Sequence, residues 1–170
     1  MDSKLTFRGR VWCLGDNIDT DQILPGYAMA YPQAQLKCYA LAGSAIPDFA
    51  QRVKAGDIIV AGNNFGAGSS REQAPVALKE AGVGAVIAQS FARIFRRNSI
   101  NIGLPIMCAD IIGKVKDGDE IILDLAAGEV SLADKIVIKG QRPGDNVLTI
   151  LEAGGLIPKV RQQMQQAREE

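Results

Sequence analysis

The segment Gly62-Asn63-Asn64-Phe65-Gly66-Ala67-Gly68-Ser69-Ser70-Arg71-Glu72-Gln73 concentrates the groups best suited to holding an anion. It follows a Val/Ile-rich run and opens an Ala/Leu helical pattern. Gly66 and Gly68 allow the backbone to approach a bound group closely. Ser69-x-x-Glu72 has the spacing of a capping box, which predicts a helix over Ser70–Ala81 with Ser69 as its N-cap and Glu72 reaching back to the cap amide. Free N–H groups at such a helix start attract negative charge. Arg71 offers a planar fork that fits a carboxylate. A cation in the first helical turn opposes the helix dipole, which marks Arg71 as placed for a ligand. Nucleotide chemistry does not fit. A P-loop needs Lys after its last Gly, and the dinucleotide fingerprint needs Gly at position 71. A capped structural turn, a carboxylate site and a phosphate site remain.

Two further segments carry polar groups at close spacing. Gly15-Asp16-Asn17-Ile18-Asp19-Thr20-Asp21-Gln22-Ile23-Leu24-Pro25 is rich in aspartate, but a calcium loop counted from Asp16 would need Gly at 21 and Glu at 27, where Asp and Tyr stand. It reads either as a self-capping turn or as support for basic and hydroxyl groups of the first segment. Ser90-Phe91-Ala92-Arg93-Ile94-Phe95-Arg96-Arg97-Asn98 places three arginines on one short helix. That helix is a solvated basic face, or a contact for an acidic partner surface or an anionic substrate.

What the chain lacks narrows the chemistry further. It has 170 residues, 19 basic against 19 acidic, and no histidine. Serine–histidine and cysteine–histidine nucleophile pairs and zinc–histidine sites are therefore outside its reach. Zero net charge removes the main electrostatic reason to expect nucleic acid or an anionic membrane surface. Cys13, Cys38 and Cys108 are widely spaced with no C-x-x-C pair, so they read as buried reduced thiols and not as ligands of a zinc ion or an iron–sulfur cluster. No signal-peptide core and no membrane-length apolar run is present, and a soluble cytoplasmic protein is expected.

The elements that must position these segments follow from periodicity. Strands are predicted over Gly9–Leu14, Asp57–Ala61, Gly84–Gln89, Glu120–Leu125, Glu129–Leu132 and Lys135–Ile138. Besides Ser70–Ala81, helices are predicted over Phe91–Arg97 and Asn146–Ala153, the latter ending at Gly154-Gly155. The second and third strands flank the first helix as a parallel βαβ unit, and the last three form an antiparallel meander. The result is a mixed-sheet α/β domain over residues 1–154, with a polar C-terminal tail over 155–170 as a surface helix.

Taken together in this order, G-D-N-I-D-T-D-Q-I-L-P, G-x-G-S-S-R-E-Q-A-P and S-F-A-R-I-F-x-x-N-x-x-x-x-G-L-P resemble the aconitase-type swivelling domain, in the free-standing form that small subunits of isopropylmalate-type dehydratases take. The resemblance spans Gly9 to Ala153. It implies a swivelling β/β/α fold and a separate large subunit whose [4Fe–4S] cluster acts on the substrate hydroxyl, with no cofactor or metal bound by this chain. The implied reaction is dehydration and rehydration of a hydroxy-diacid, as in leucine biosynthesis. Ser69 would be the base. Ser70, Arg71 and the Gly68 backbone would hold a substrate carboxylate, while Asp19, Thr20, Asp21 and Glu72 support them.

By the same resemblance, the loop Tyr27-Ala28-Met29-Ala30 would select the substrate. Relatives that take a third carboxylate place an arginine there, whereas this chain has no basic residue before Lys37. That argues for isopropylmalate over citrate or homocitrate, since an unpaired buried carboxylate costs several kcal/mol. Many leucine-pathway relatives carry Tyr-Leu in place of Tyr27-Ala28, so citramalate and dimethylmalate stand as alternatives. Gln73 replaces a histidine found in many of them. The competing reading from another class is a non-catalytic carboxylate-binding module.

Overall fold

The computed structural model describes residues 3–170. Its backbone is one mixed sheet, seven-stranded among the described residues: β1 (Thr6–Cys13), β2 (Ile58–Ala61), β3 (Ala85–Ala88), β4 (Ile106–Cys108), β5 (Glu120–Asp124), β6 (Glu129–Ser131) and β7 (Val137–Lys139), in the order β4-β3-β2-β1-β5-β6-β7. The first four strands pair in parallel and the last three extend the sheet antiparallel from the opposite edge of β1. The helices are α1 (Thr20–Ile23), α2 (Phe49–Arg52), α3 (Gln73–Ala81), α4 (Arg93–Asn101), α5 (Asp145–Glu152) and α6 (Leu156–Glu169), with 3₁₀ turns at Gly26–Ala30 and Gln33–Tyr39.

Strands β2 and β3 are buried at every position, as parallel strands covered on both faces require. Alternate residues feed two cores. Ile59, Ala61, Val86 and Ala88 pack under α1, α3 and α4, whereas Ile58, Val60, Ala85 and Ile87 pack against β5, β6 and α5. The parallel βαβ unit and the antiparallel meander match the sequence expectation. The chain also forms β4, which the sequence pattern did not disclose, because Ile106–Cys108 is three residues behind Leu104-Pro105 and too short to show a period.

The N-terminal side of the main helix differs from expectation. α3 begins at Gln73, three residues later than Ser70, and Glu72 is its N-cap with no side-chain capping bond. Ser69 and Glu72 therefore form no capping box. Pro75 explains the late start: it lacks the N–H that would bond the Arg71 carbonyl, and its ring crowds that carbonyl, so the helix cannot run back through Arg71. The capping box of this region lies on α1 instead, where Asp19 Oδ1 accepts from Gln22 N at 2.8 Å and Gln22 Oε1 accepts from Asp19 N at 2.9 Å. The cysteines are all free, but Cys38 is exposed and Cys13 and Cys108 are only half-buried, contrary to the expectation of buried thiols.

Candidate active site

Three loops meet at the carboxyl ends of β1, β2 and β3, where open α/β sheets place their ligands. The loop after β1 runs beside the Gly-rich loop after β2: Thr20 N donates to Ala67 O at 2.8 Å and Gly66 N to Ile18 O at 2.7 Å. The Gly-rich loop is tied in turn to the segment after β3 by Phe65 N to Ser90 O and Ala92 N to Phe65 O. Beneath this junction Phe65, Phe91 and Phe95 pack ring against ring. Gly66 has φ of +87°, and a Cβ there would overlap Phe95, so this position accepts only glycine.

Above the aromatic floor lies a cavity of about 450 Å³, lined by Thr20, Gly68, Ser69, Ser70 and Arg71 on one side and by Arg93, Ile94 and Arg97 of α4 on the other. The volume suits a small organic ligand. Ser69 Oγ lies 2.9 Å from Thr20 Oγ1, and Thr20 is buried as the first residue of α1. The N–H groups of Gly68, Ser69 and Ser70 have no backbone partner among the described residues, because the chain here is neither strand nor helix. Arg71 precedes α3 and is not in its first turn. Its Nη1 donates to Asp21 Oδ1 at 2.7 Å and to Leu24 O at 2.6 Å, which fixes the guanidinium and leaves Nη2 and Nε for a further acceptor.

The other sequence-chosen residues fall as follows. Asp19 caps α1 and Asp21 holds Arg71, so the aspartate-rich segment both caps itself and braces the Gly-rich loop. Glu72 is exposed and makes no capping bond. Tyr27, Met29 and Ala30 present their side chains to solvent, while Ala28 is fully buried in the core and offers no side chain to a ligand. The loop starts beside the site, with a Cβ at Gly26 falling 3.9 Å from Arg71 Nη2. Tyr27 and Tyr31 then pack on Tyr39. The cavity also takes in Ile94 and Asn98, together with Arg93 and Arg97 of the basic helix, for which the sequence reading allowed contact with an acidic partner or an anionic substrate.

The model of the aconitase C-terminal domain matches residues 17–110, the stretch that holds all three loops. The chain belongs to the aconitase C-terminal domain family. Among its aconitase-family relatives, the isopropylmalate/citramalate isomerase small subunit of Methanocaldococcus jannaschii is 48% identical over 95% of this chain and 97% of its own length. The methanogen homoaconitase small subunit of Methanothermobacter thermautotrophicus is 53% identical over 88% of each. The crystal structure of a 3-isopropylmalate dehydratase chain from Methanocaldococcus jannaschii superimposes with a TM-score of 0.89, at 41% identity, over 97% of this chain and 99% of that one. The chain is thus a small subunit of an aconitase-family hydro-lyase of the isopropylmalate isomerase and homoaconitase type. Relatives at similar identity are named for different acids, so overall likeness does not choose the substrate.

Among the described residues no three His, Cys, Asp or Glu side chains converge to hold a metal. Burial pushes the Cys13 thiol up, helped by Asp117 and Asp119, and burial pushes Cys108 up against the opposing charge of Arg96. Neither is disposed to be a thiolate ligand. Among the described residues no helix is long and apolar enough to cross a membrane.

Proposed function

We propose that this chain is the small subunit of a 3-isopropylmalate dehydratase, isomerising 2-isopropylmalate to 3-isopropylmalate through loss and re-addition of water in leucine biosynthesis, in the cytoplasm. The observation that carries the proposal is the convergence of Ser69, Ser70 and the fixed Arg71 guanidinium in one cavity. Ser69, as its alkoxide, takes the proton alpha to a carboxylate and becomes the neutral hydroxyl as the substrate hydroxyl leaves and the double bond forms, and it gives that proton back to carbon when water adds with the hydroxyl on the neighbouring carbon. Thr20 Oγ1, 2.9 Å away, orients Ser69 and donates to its alkoxide. Ser70 Oγ and the free Arg71 nitrogens bind the adjacent carboxylate, with the Gly68 backbone close beside it.

The leaving hydroxyl needs an acid that this chain's residues do not assemble. A large partner subunit bearing a [4Fe–4S] cluster would supply that Lewis acidity when bound. Asp19 and Asp21 act only as support in this scheme, and Glu72, exposed and without a capping bond, takes no part in it. For the substituent, the exposed face of the loop at Tyr27, Met29 and Ala30 is uncharged, which suits an alkyl group and leaves a third carboxylate without a partner. Citramalate and dimethylmalate differ from isopropylmalate by only one or two methylene groups, each worth roughly 1–3 kcal/mol of discrimination. Citramalate and dimethylmalate stand as second substrates on the same uncharged loop.

The test is anaerobic turnover of 3-isopropylmalate, citramalate, dimethylmalate and homocitrate by the mixed subunits. Turnover only in the mixture, fastest on 3-isopropylmalate and absent on homocitrate, is expected. No turnover from a mixture shown to be assembled and cluster-loaded would overturn the proposal.

A further inference from the structure

Helix α4 carries Arg93, Arg96 and Arg97, and none of the three makes an ion pair among the described residues. No Asp or Glu occurs from Ala81 through Ala109, so the chain offers no local counter-charge. Arg93 and Arg97, one helical turn apart, are like charges on one face, which costs helix stability. Both line the same cavity as Ser69, both are exposed, and the apolar Ile94 lies between them in sequence at 42% exposure. Arg71, by contrast, is sunk to 18% exposure and held through Nη1 by Asp21.

We infer that the Arg93–Ile94–Arg97 face of α4 is the docking surface for an acidic patch on the large subunit. The inference rests on the function proposed above. Alkoxide chemistry at Ser69 requires that the open cavity be closed and dried. Whatever closes it must touch the cavity's rim, and on the α4 side that rim is these three residues. An apolar centre flanked by arginines has the composition of an interface, and two guanidinium groups that lose their water on closure, with no counter-charge in this chain, are matched best by carboxylates of the covering surface. Their exposure places them at the edge, where a protein surface arrives, whereas the less exposed Arg71 is the residue the proposed function gives to the substrate carboxylate.

Arg97→Glu and the milder Arg97→Gln, each checked for an unchanged thermal midpoint, are titrated against the large subunit without substrate, at low and moderate salt. The expected result is a dissociation constant raised about tenfold or more for Arg97→Glu, less for Arg97→Gln, with a shallower salt dependence than wild type. An unchanged dissociation constant overturns the inference. So does a raised KM at saturating large subunit without a change in assembly, since the arginine would then be holding the substrate's second carboxylate. Wild-type turnover in the same mixtures keeps the two proposals separate. Tight wild-type assembly without turnover sinks the function and leaves the docking face standing.

Discussion

A serine hydroxyl titrates far above neutral pH, so Ser69 accepts a proton only where its alkoxide is stabilised in advance. In the proposed mechanism three groups around it do this: the Thr20 hydroxyl, the unpartnered N–H groups of residues 68–70, and the neighbouring Arg71 charge. Thr20 is the one that can be removed without disturbing the chain's charge. Thr20→Val is expected to lower kcat about tenfold with little change in KM, and Thr20→Ser to restore it, because only the hydroxyl meets Ser69. Steady-state kinetics of the assembled enzyme check this, and equal loss in both variants would assign the residue to packing alone. The Ser69-Ser70-Arg71 triplet and the aspartates that flank Thr20 were legible from residue type and order. The particular pairing was not. Asp21 to Arg71 and Thr20 to Ser69 join residues about fifty positions apart, and only the parallel approach of two loops brings them together.

At the scale of elements, the site depends on how closely α4 packs under the Gly-rich loop. Phe95 fills the space where a Gly66 side chain would lie, and the positive φ at Gly66 adds strain to any replacement. Gly66→Ala is expected to destabilise the protein by about 2–4 kcal/mol by displacing Phe95 and α4. Urea denaturation measures this, and a loss under about 0.5 kcal/mol would show that the aromatic floor yields freely. The strand and helix set was legible where burial imposes a pattern, a continuous apolar run in Ile58–Ala61 and a helical period in Gln73–Ala81. It misplaced the start of α3 because Ser69-x-x-Glu72 satisfies the capping spacing while Pro75, four residues after Arg71, forbids the helix that spacing implies. The short 3₁₀ turns and α1 are fixed by tertiary contacts and leave little periodic trace.

For the whole molecule, the two halves of the sheet are joined at β1, and one buried carboxylate clamps its paired strand in place. Asp57 Oδ2 accepts from Trp12 Nε1 at 2.8 Å, Lys54 N at 2.9 Å and Arg10 Nη2 at 3.0 Å. Burial alone would push its carboxyl up, but these bonds and the Arg10 charge outweigh it and hold the carboxyl below the ordinary range. A folded value depressed below the unfolded one, about 3.9, stabilises the fold above that pH and ceases to do so as pH falls through the folded value. Asp57→Asn is therefore expected to cost about 1.5–3 kcal/mol near neutral pH, with the gap from wild type closing below about pH 4. Urea melts across that range test it, and a gap that stays constant with pH would remove the charge from the explanation. This clamp lies far along the strands from Ser69, so it supports the frame and leaves the chemistry to the loop ends.

The central claim is that this chain brings the base to an active site completed by another subunit. Ser69→Ala in the assembled, cluster-loaded enzyme tests it most directly. The expected result is a fall in kcat of about 10²–10⁴ with 3-isopropylmalate, with subunit affinity and KM little changed. Turnover within a few-fold of wild type would contradict it, because the proton would then be leaving to a group that Ser69 does not provide.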